Sequence, residues 1–364
     1  FVPGVDFSKW PEAIEKNRDE IRGATTQVAF SNVINRLMSD YGLSHISLFP
    51  PSFGEARLTQ KRAGIGIRVQ VEEAGVRVVY VFPDSPAQEA GFQVGDLIIE
   101  SDGKLVKSTA ELAGEKDQES TITFLRGEEK KVLKVVRRDY STVVPETIEW
   151  HGKVAVIKIP TFDVGYNHQN VEKLMREASE KASAVVLDLR GNGGGRVVNL
   201  QHLASFFLDA REQPMGTFIG RQQVAEYEKE HGPTADLAAI AEFTKFKTRA
   251  AINRDKIMIS QKVAVLVDGA SGSASEMMAA ALRESRNAPV LGSRTAGAVL
   301  ASLILPLGDK AGFWVQYPVT DYVTIKGMRL EGNGVVPDHV FPPLMFGKPD
   351  GALLKAVELL QAVK

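Results

Sequence analysis

A serine that follows a buried strand and opens a helix is a candidate nucleophile, and the segment VAVLVDGASGSASEMMAAALRE places Ser273 there. Tight backbone geometry would hold such a serine, and the N–H groups of a helix N-terminus favour nearby negative charge. The spelling Gly-Ala-Ser-Gly-Ser follows the logic of a G-x-S-x-G nucleophile elbow without matching it strictly. Ser273-Ala-Ser-Glu276 is also a regular capping box, in which the hydroxyl would only bond backbone N–H groups. A second segment, LDLRGNGGGR (187–196), ends a strand in a glycine-rich turn. Glycines let backbone N–H groups approach a reacting oxygen, and each oxyanion donor is worth roughly 3–4 kcal/mol. The turn is not a dinucleotide fingerprint, because Arg196 stands where G-x-G-x-x-G needs its last glycine. It also lacks the Lys-Ser/Thr ending of a phosphate loop. A plain tight turn remains the alternative. Six histidines are available as a base. His151, His168, His202 and His231 lie in polar contexts and read as surface residues, and His339 reads as surface or functional. His45 stands apart, just past a capped helix and beside Ser44. A lone histidine is by itself more often structural than catalytic.

Three kinds of element must position these residues. Residues 1–60 read as helical: Phe30, Val33, Ile34, Leu37, Met38 and Tyr41 follow helical spacing, and Gly42 sits where a C-terminal cap would. Residues 61–140 alternate short β-type runs (64–71, 76–82, 96–100, 120–127, 131–137) with turns, plus two short helices near 85–91 and 108–114. Residues 141–364 read as α/β. Strands are expected at 154–159, 184–189, 263–268 and 289–293, with helices around Val171–Ala178, at Ala274–Glu284 and at Leu353–Val363. The polar segment 212–258 reads as an insertion or flap. The fold class is therefore α/β multi-domain, in which an N-terminal helical segment and a β-rich domain precede an α/β core.

Bulk composition narrows the function. The chain has 364 residues and a formal net charge of -1, enough for two or three domains with cores of their own. Near-neutral charge gives no support for a nucleic-acid partner or a membrane surface. No apolar run approaches the ~20 residues of a membrane span. The absence of cysteine excludes disulfides, thiolate catalysis and Cys-ligated metals. The opening FVPGVDFSKW has neither the basic start nor the apolar stretch of a signal peptide, so any leader is expected to have been removed ahead of it.

Together these segments resemble the C-terminal processing peptidases and their tricorn-type relatives. GIGI followed by SPAQEAGFQVGDLIIESDG (85–103) resembles their PDZ domain, and VVLDLRGNGGG their strand and oxyanion turn. SGSASEMMAAAL resembles the nucleophile segment, and RLEGNGVVPD (329–338) the C-terminal signature. The matches run in family order from about residue 30 to 345. One departure points to the subtype. The Ser/Lys branch has a lysine after the nucleophile helix, where this chain has Ala298 in Thr295-Ala296-Gly297-Ala298; the glutamine that follows in that branch is also missing, with Ser302 near its place. The tricorn-type branch uses a Ser-His pair from the N-terminal part and a glutamate near the C-terminal signature, and Ser44, His45 and Glu331 match those positions.

The resemblance implies a serine endopeptidase. Ser273 would attack, His45 would act as general base, and Glu331 would orient the imidazole through Ser44 or directly. Backbone N–H groups of Gly194 and Ala274 would hold the oxyanion. It implies no metal and no cofactor. The PDZ domain would bind the free C-termini of protein or peptide substrates through Gly64, Ile65, Gly66 and Ile67. It also implies an exported protein, periplasmic or secreted. Two alternatives stand beside this reading. One is a lapsed relative that only binds peptides or ligands, since retinoid-binding relatives reuse the core. The other is a Ser/Lys peptidase disabled at Ala298. Retention of Ser44, His45, Ser273 and Glu331 together favours the enzyme.

Overall fold

Four aliphatic runs set the architecture of the larger unit. In a computed structural model, Val154–Lys158, Ala184–Asp188, Lys262–Val267 and Val290–Gly292 lie side by side as parallel strands in that order. The structure describes every residue except 1, 4, 246, 254, 255, 309 and 362–364, and the side chains of all of these but 55 and 58. Thr147–His151 adds antiparallel at one end of the sheet and His339–Val340 parallel at the other, giving six strands. Successive strand residues point to opposite faces. Ala155, Ile157, Val185, Leu187, Val263 and Val265 pack with the helices His168–Lys181, Val197–Ala204 and Ala274–Arg286. Val154, Val156, Ala184, Val186, Ala264 and Leu266 pack with Ala352, Ala356 and Leu360 of the helix Gly351–Gln361. Both faces are covered, which is why these strands read as continuous apolar runs. The expected end of the last helix at Val363 lies outside the described residues.

A second sheet in the same unit runs Ser47–Phe49, Trp314–Thr324, Pro214–Ile219, Thr248–Arg249, with Ala301–Pro306 also paired to Trp314–Thr324. The helix expected to end near Tyr41 spans Gln27–Ser39; Thr26 caps it through Ala29 N, and Gly42 has φ 63°. Ile34 on that helix packs with Leu48 and Phe313. The chain up to Gly54 therefore clusters with Pro145–Pro343 and the C-terminal segment from Pro349. It is not a helical region set apart, because Ser47–Phe49 is a strand of the core's second sheet. The segment 212–258 likewise begins inside the core: Pro214–Ile219 pairs on both sides, and the helices Arg221–His231 and Leu237–Phe243 follow it. Its polar sequence belongs mainly to those helices, and 246, 254 and 255 lie outside the described residues.

The smaller unit comprises Glu55–Val144 and the return segment Leu344–Lys348. Ile67–Glu72, Gly75–Val81, Leu97–Ser101, Glu119–Arg126 and Glu129–Val136 form an antiparallel sheet in that order. Val76, Val78, Phe92, Ile98, Ile122, Phe124 and Val135 fill its core. The helix Pro86–Ala90 starts at Ser85, whose hydroxyl accepts from Gln88 N, and stops at Gly91 in the left-handed conformation. No described helix is long and apolar enough to cross a membrane.

Gly292 marks how tightly the large sheet is closed. At φ 125° a Cβ there would stand 1.9 Å from the Val267 carbonyl oxygen. Gly292→Ala is expected to lower stability by about 3 kcal/mol or more, adding a steric clash to positive-φ strain. Urea denaturation of the variant against the parent chain checks this.

Candidate active site

The carboxyl ends of three adjacent parallel strands lead into the candidate residues. Ala184–Asp188 leads into the glycine turn, Lys262–Val267 into Ser273, and Val290–Gly292 into the stretch 293–299. That edge of a parallel sheet is where α/β folds gather ligand-binding loops. Hydrogen bonds lace these loops together. Gly191 N donates to Asp268 Oδ1 at 3.0 Å, Gly272 N to Asn192 O at 3.0 Å, and Ala296 N to Ser271 O at 3.0 Å. Ser271 Oγ donates to Leu189 O and Ser275 Oγ to Asn192 O, and both serines are fully buried.

Ser273 stands as N-cap of the helix Ala274–Arg286 with φ 53° and ψ -115°. A residue with a Cβ reaches such a conformation only where its surroundings enforce it. Half of the expected capping box forms: Ser273 N donates to Glu276 Oε2 at 2.9 Å. The other half does not, since the Ser273 hydroxyl makes no cap hydrogen bond. The helix start is thus held without consuming the hydroxyl. Gly194, at φ 98°, lies directly against this residue. A Cβ on it would stand 2.6 Å from Ser273 Cβ and 3.0 Å from Ala274 N, so only glycine lets the two loops close. Gly194 N itself donates to Asn192 Oδ1 at 2.9 Å, within its own turn.

Ser44, His45 and Glu331, 287 residues apart in sequence, meet through hydrogen bonds. Ser44 N donates to Glu331 Oε1 at 2.9 Å and Ser44 Oγ to Glu331 Oε2 at 2.9 Å. Ser44 Oγ lies 2.8 Å from His45 Nδ1. With its own proton given to the carboxylate, Ser44 Oγ receives from Nδ1–H, and the Nε2 lone pair is left as the basic site. His45 has φ 57°. Burial depresses its pKa below the usual value near 6.5, and the Glu331 carboxylate opposes that shift. Glu331 is 4% exposed and also accepts from Val299 N at 2.8 Å. No hydrogen bond joins His45 to Ser273 among the described residues.

Sequence reasoning took Glu276 only as a capping residue. It is fully buried, and its carboxylate accepts from Thr295 Oγ1 (2.5 Å), Gly297 N (2.8 Å), Ala298 N (3.0 Å) and Ser273 N (2.9 Å). The glutamate of the capping box was the one available signal. Asn192, fully buried, was missed as well; its amide donates to Ile159 O at 2.8 Å and its Oδ1 holds Gly194 N.

Residues 153–341 match peptidase family S41. The chain belongs to that family. Residues 63–136 match the PDZ domain, so the S41 core carries a PDZ module. A probable CtpA-like serine protease of Staphylococcus epidermidis is 26% identical over 319 residues, which cover 86% of this chain. The matched part is 60% of that relative's length. The solved photosystem II D1 C-terminal processing protease shares the fold at 21% identity and a TM-score of 0.51, covering 92% of this chain and 87% of that one. The tricorn protease does so at 16% identity and a TM-score of 0.50, covering 98% of this chain and 35% of that one.

Within the PDZ unit, Gly64 ends the strand Lys61–Gly64, Ile65 is buried, Gly66 has φ 83°, and Ile67 opens Ile67–Glu72. Ala87 N donates to Ile65 O at 2.7 Å, which ties the segment to the helix Pro86–Ala90. Ile67–Glu72 is an end strand of its sheet, pairing only with Gly75–Val81 among the described residues.

The His45 environment gives a direct test by NMR titration of the imidazole. Its pKa is expected below 6.5 in the folded protein. Glu331→Gln removes the charge that favours the imidazolium, so the pKa should fall further. A rise in that variant would mean that Glu331 does not act on His45.

Proposed function

We propose that this S41 chain is a serine endopeptidase of the tricorn-like type, with Ser273 as nucleophile and His45 as general base. The observation that carries this reading is a Ser273 hydroxyl that makes no cap hydrogen bond at its helix N-terminus, in a molecule that also orients His45 through Ser44 and Glu331. Ser273 Oγ attacks the scissile carbonyl carbon as Nε2 of His45 takes the hydroxyl proton. The imidazolium is stabilised through Nδ1–H to Ser44 and on to Glu331, and it then returns the proton to the leaving amine. Ala274 N and Gly194 N serve as oxyanion donors. Since Gly194 N rests on Asn192 Oδ1, the substrate oxygen must displace that amide oxygen, which makes the described turn a resting arrangement.

The PDZ domain binds peptide. In this proposal it takes free C-termini: N–H groups around Gly64, Ile65 and Gly66 hold the carboxylate, and the peptide lies as an added strand along the open edge of Ile67–Glu72. In this division of labour 61–140 is proposed as the peptide-binding domain and 141–364 as the catalytic core, with His45 supplied by the N-terminal segment that packs into that core. The protein is proposed to work outside the cytoplasm.

A fluorophosphonate probe is expected to label the parent chain and not Ser273→Ala. Glu331→Gln should lower kcat by orders of magnitude, because the acid of such a relay and its base act as a unit. Activity within about threefold of the parent, under ~1 kcal/mol of barrier, would remove Glu331 from the catalytic set. Ala298→Lys tests the disabled Ser/Lys alternative. No gain in peptide hydrolysis is expected, and a loss is the direction foreseen, because a second base would crowd a site served by His45. A large gain would restore that alternative.

A further inference from the structure

One carboxylate outside the proposed relay holds the backbone of the proposed nucleophile. Glu276 is fully buried and makes no ion pair among the described residues; all four of its hydrogen-bond partners are neutral donors. Its two oxygens divide the work. Oε2 takes Ser273 N and Ala298 N, and Oε1 takes Thr295 Oγ1 and Gly297 N. The next N–H along the chain, Val299 N, goes to Glu331 Oε2, and Gly332 N returns to Gly297 O at 2.8 Å. A single stretch, 297–299, is thus gripped by two buried carboxylates. One of them holds the backbone of Ser273, and the other holds Ser44 and, through it, His45.

We infer that Glu276 is a positioning residue for the nucleophile, fixing the strained Ser273 backbone and tying its location to the 297–299 stretch that also bears the support of His45. The inference rests on the reading of Ser273 as nucleophile. Its physical basis is the number and polarity of the bonds. An ordinary N3 glutamate satisfies one N–H of its own helix. This one also binds three donors 19 to 22 residues downstream. A carboxylate can accept from all four donors, because both of its ends are acceptors. Glutamine keeps the shape but turns one end into a donor, which then faces either Ser273 N–H and Ala298 N–H or Thr295 Oγ1–H and Gly297 N–H. Either orientation sets N–H against N–H and pushes the nucleophile's backbone away from the 297–299 stretch. Displacement of this kind costs rate steeply, since catalysis depends on near-attack geometry. It leaves substrate affinity alone, because Glu276 has no exposed surface to offer a ligand.

The test compares the parent chain with Glu276→Gln and with the milder Thr295→Val, which removes one of the four donors and leaves the carboxylate in place. The folded fraction is set by circular dichroism, and rates are expressed per folded molecule. Glu276→Gln should slow fluorophosphonate labelling of Ser273 and lower peptide kcat by about 100-fold or more, with KM within about threefold of the parent. Thr295→Val should lower both rates by about 10-fold, so the test survives even if Glu276→Gln does not fold. A purely structural glutamate would lower the folded fraction and leave the rates per folded molecule unchanged. Parent-like labelling and kcat in the folded variants would therefore overturn the inference while Ser273 remains the nucleophile. If the parent chain itself fails to label, the nucleophile reading falls and this inference falls with it.

Discussion

A carboxylate removed from water must find donors to replace the lost solvent, or its burial costs several kcal/mol. Glu276 and Glu331 are both almost wholly buried, at 0% and 4% exposure, and both draw donors from three consecutive peptide groups: Gly297 and Ala298 serve Glu276, and Val299 serves Glu331 beside the two bonds from Ser44. Each carboxylate would lose donors without that stretch, and the stretch would leave its own N–H groups unpaired without them. The arrangement therefore forms together or not at all. It couples the helix N-terminus that follows Lys262–Val267 to the stretch that runs from Val290–Gly292 towards Ala301–Pro306 of the second sheet.

This coupling explains how unfavourable backbone conformations persist. Ser273 and His45 both have positive φ, and each carries a Cβ. Such residues cost of order 1–3 kcal/mol apiece and survive only where their surroundings over-determine them. At Ser273 the determinants are the Glu276 bond and the close approach of Gly194. At His45 they are the paired Ser44 bonds to Glu331 and the strand Ser47–Phe49, which anchors the chain two residues on. The parallel strands beneath are rigid because both of their faces are packed, so the loops at their carboxyl ends start from fixed points.

Much of this was legible in the amino-acid order where the signal is local. The parallel strands announce themselves as unbroken aliphatic runs, and His168–Lys181 as a helix through Val171, Leu174, Met175 and Ala178. Ser273 stands out as a candidate because a strand, small residues and a helix follow one another directly. The second sheet was not, because Trp314–Thr324 shows no clean alternation: its pairings with three different strands place its residues in mixed environments. Ser44, His45 and Glu331 were reached through family resemblance rather than periodicity, since no spacing rule links residues 287 positions apart. The downstream bonds of Glu276 were out of reach for a different reason. Three of its four partners are main-chain N–H groups, which every sequence position but proline supplies equally.

The long separation between Ser44 and Glu331 has a consequence for biosynthesis. A nascent chain emerges from its N-terminus, so Ser44 and His45 leave the ribosome early and wait for a carboxylate made 287 residues later. Until then the imidazole lacks its relay, and the 297–299 stretch lacks one of its two anchors. A partial polypeptide that stops short of Glu331 cannot complete the hydrogen-bonded set around His45. The hydrogen-bonded set around His45 is thus complete only once the chain has been made past residue 331.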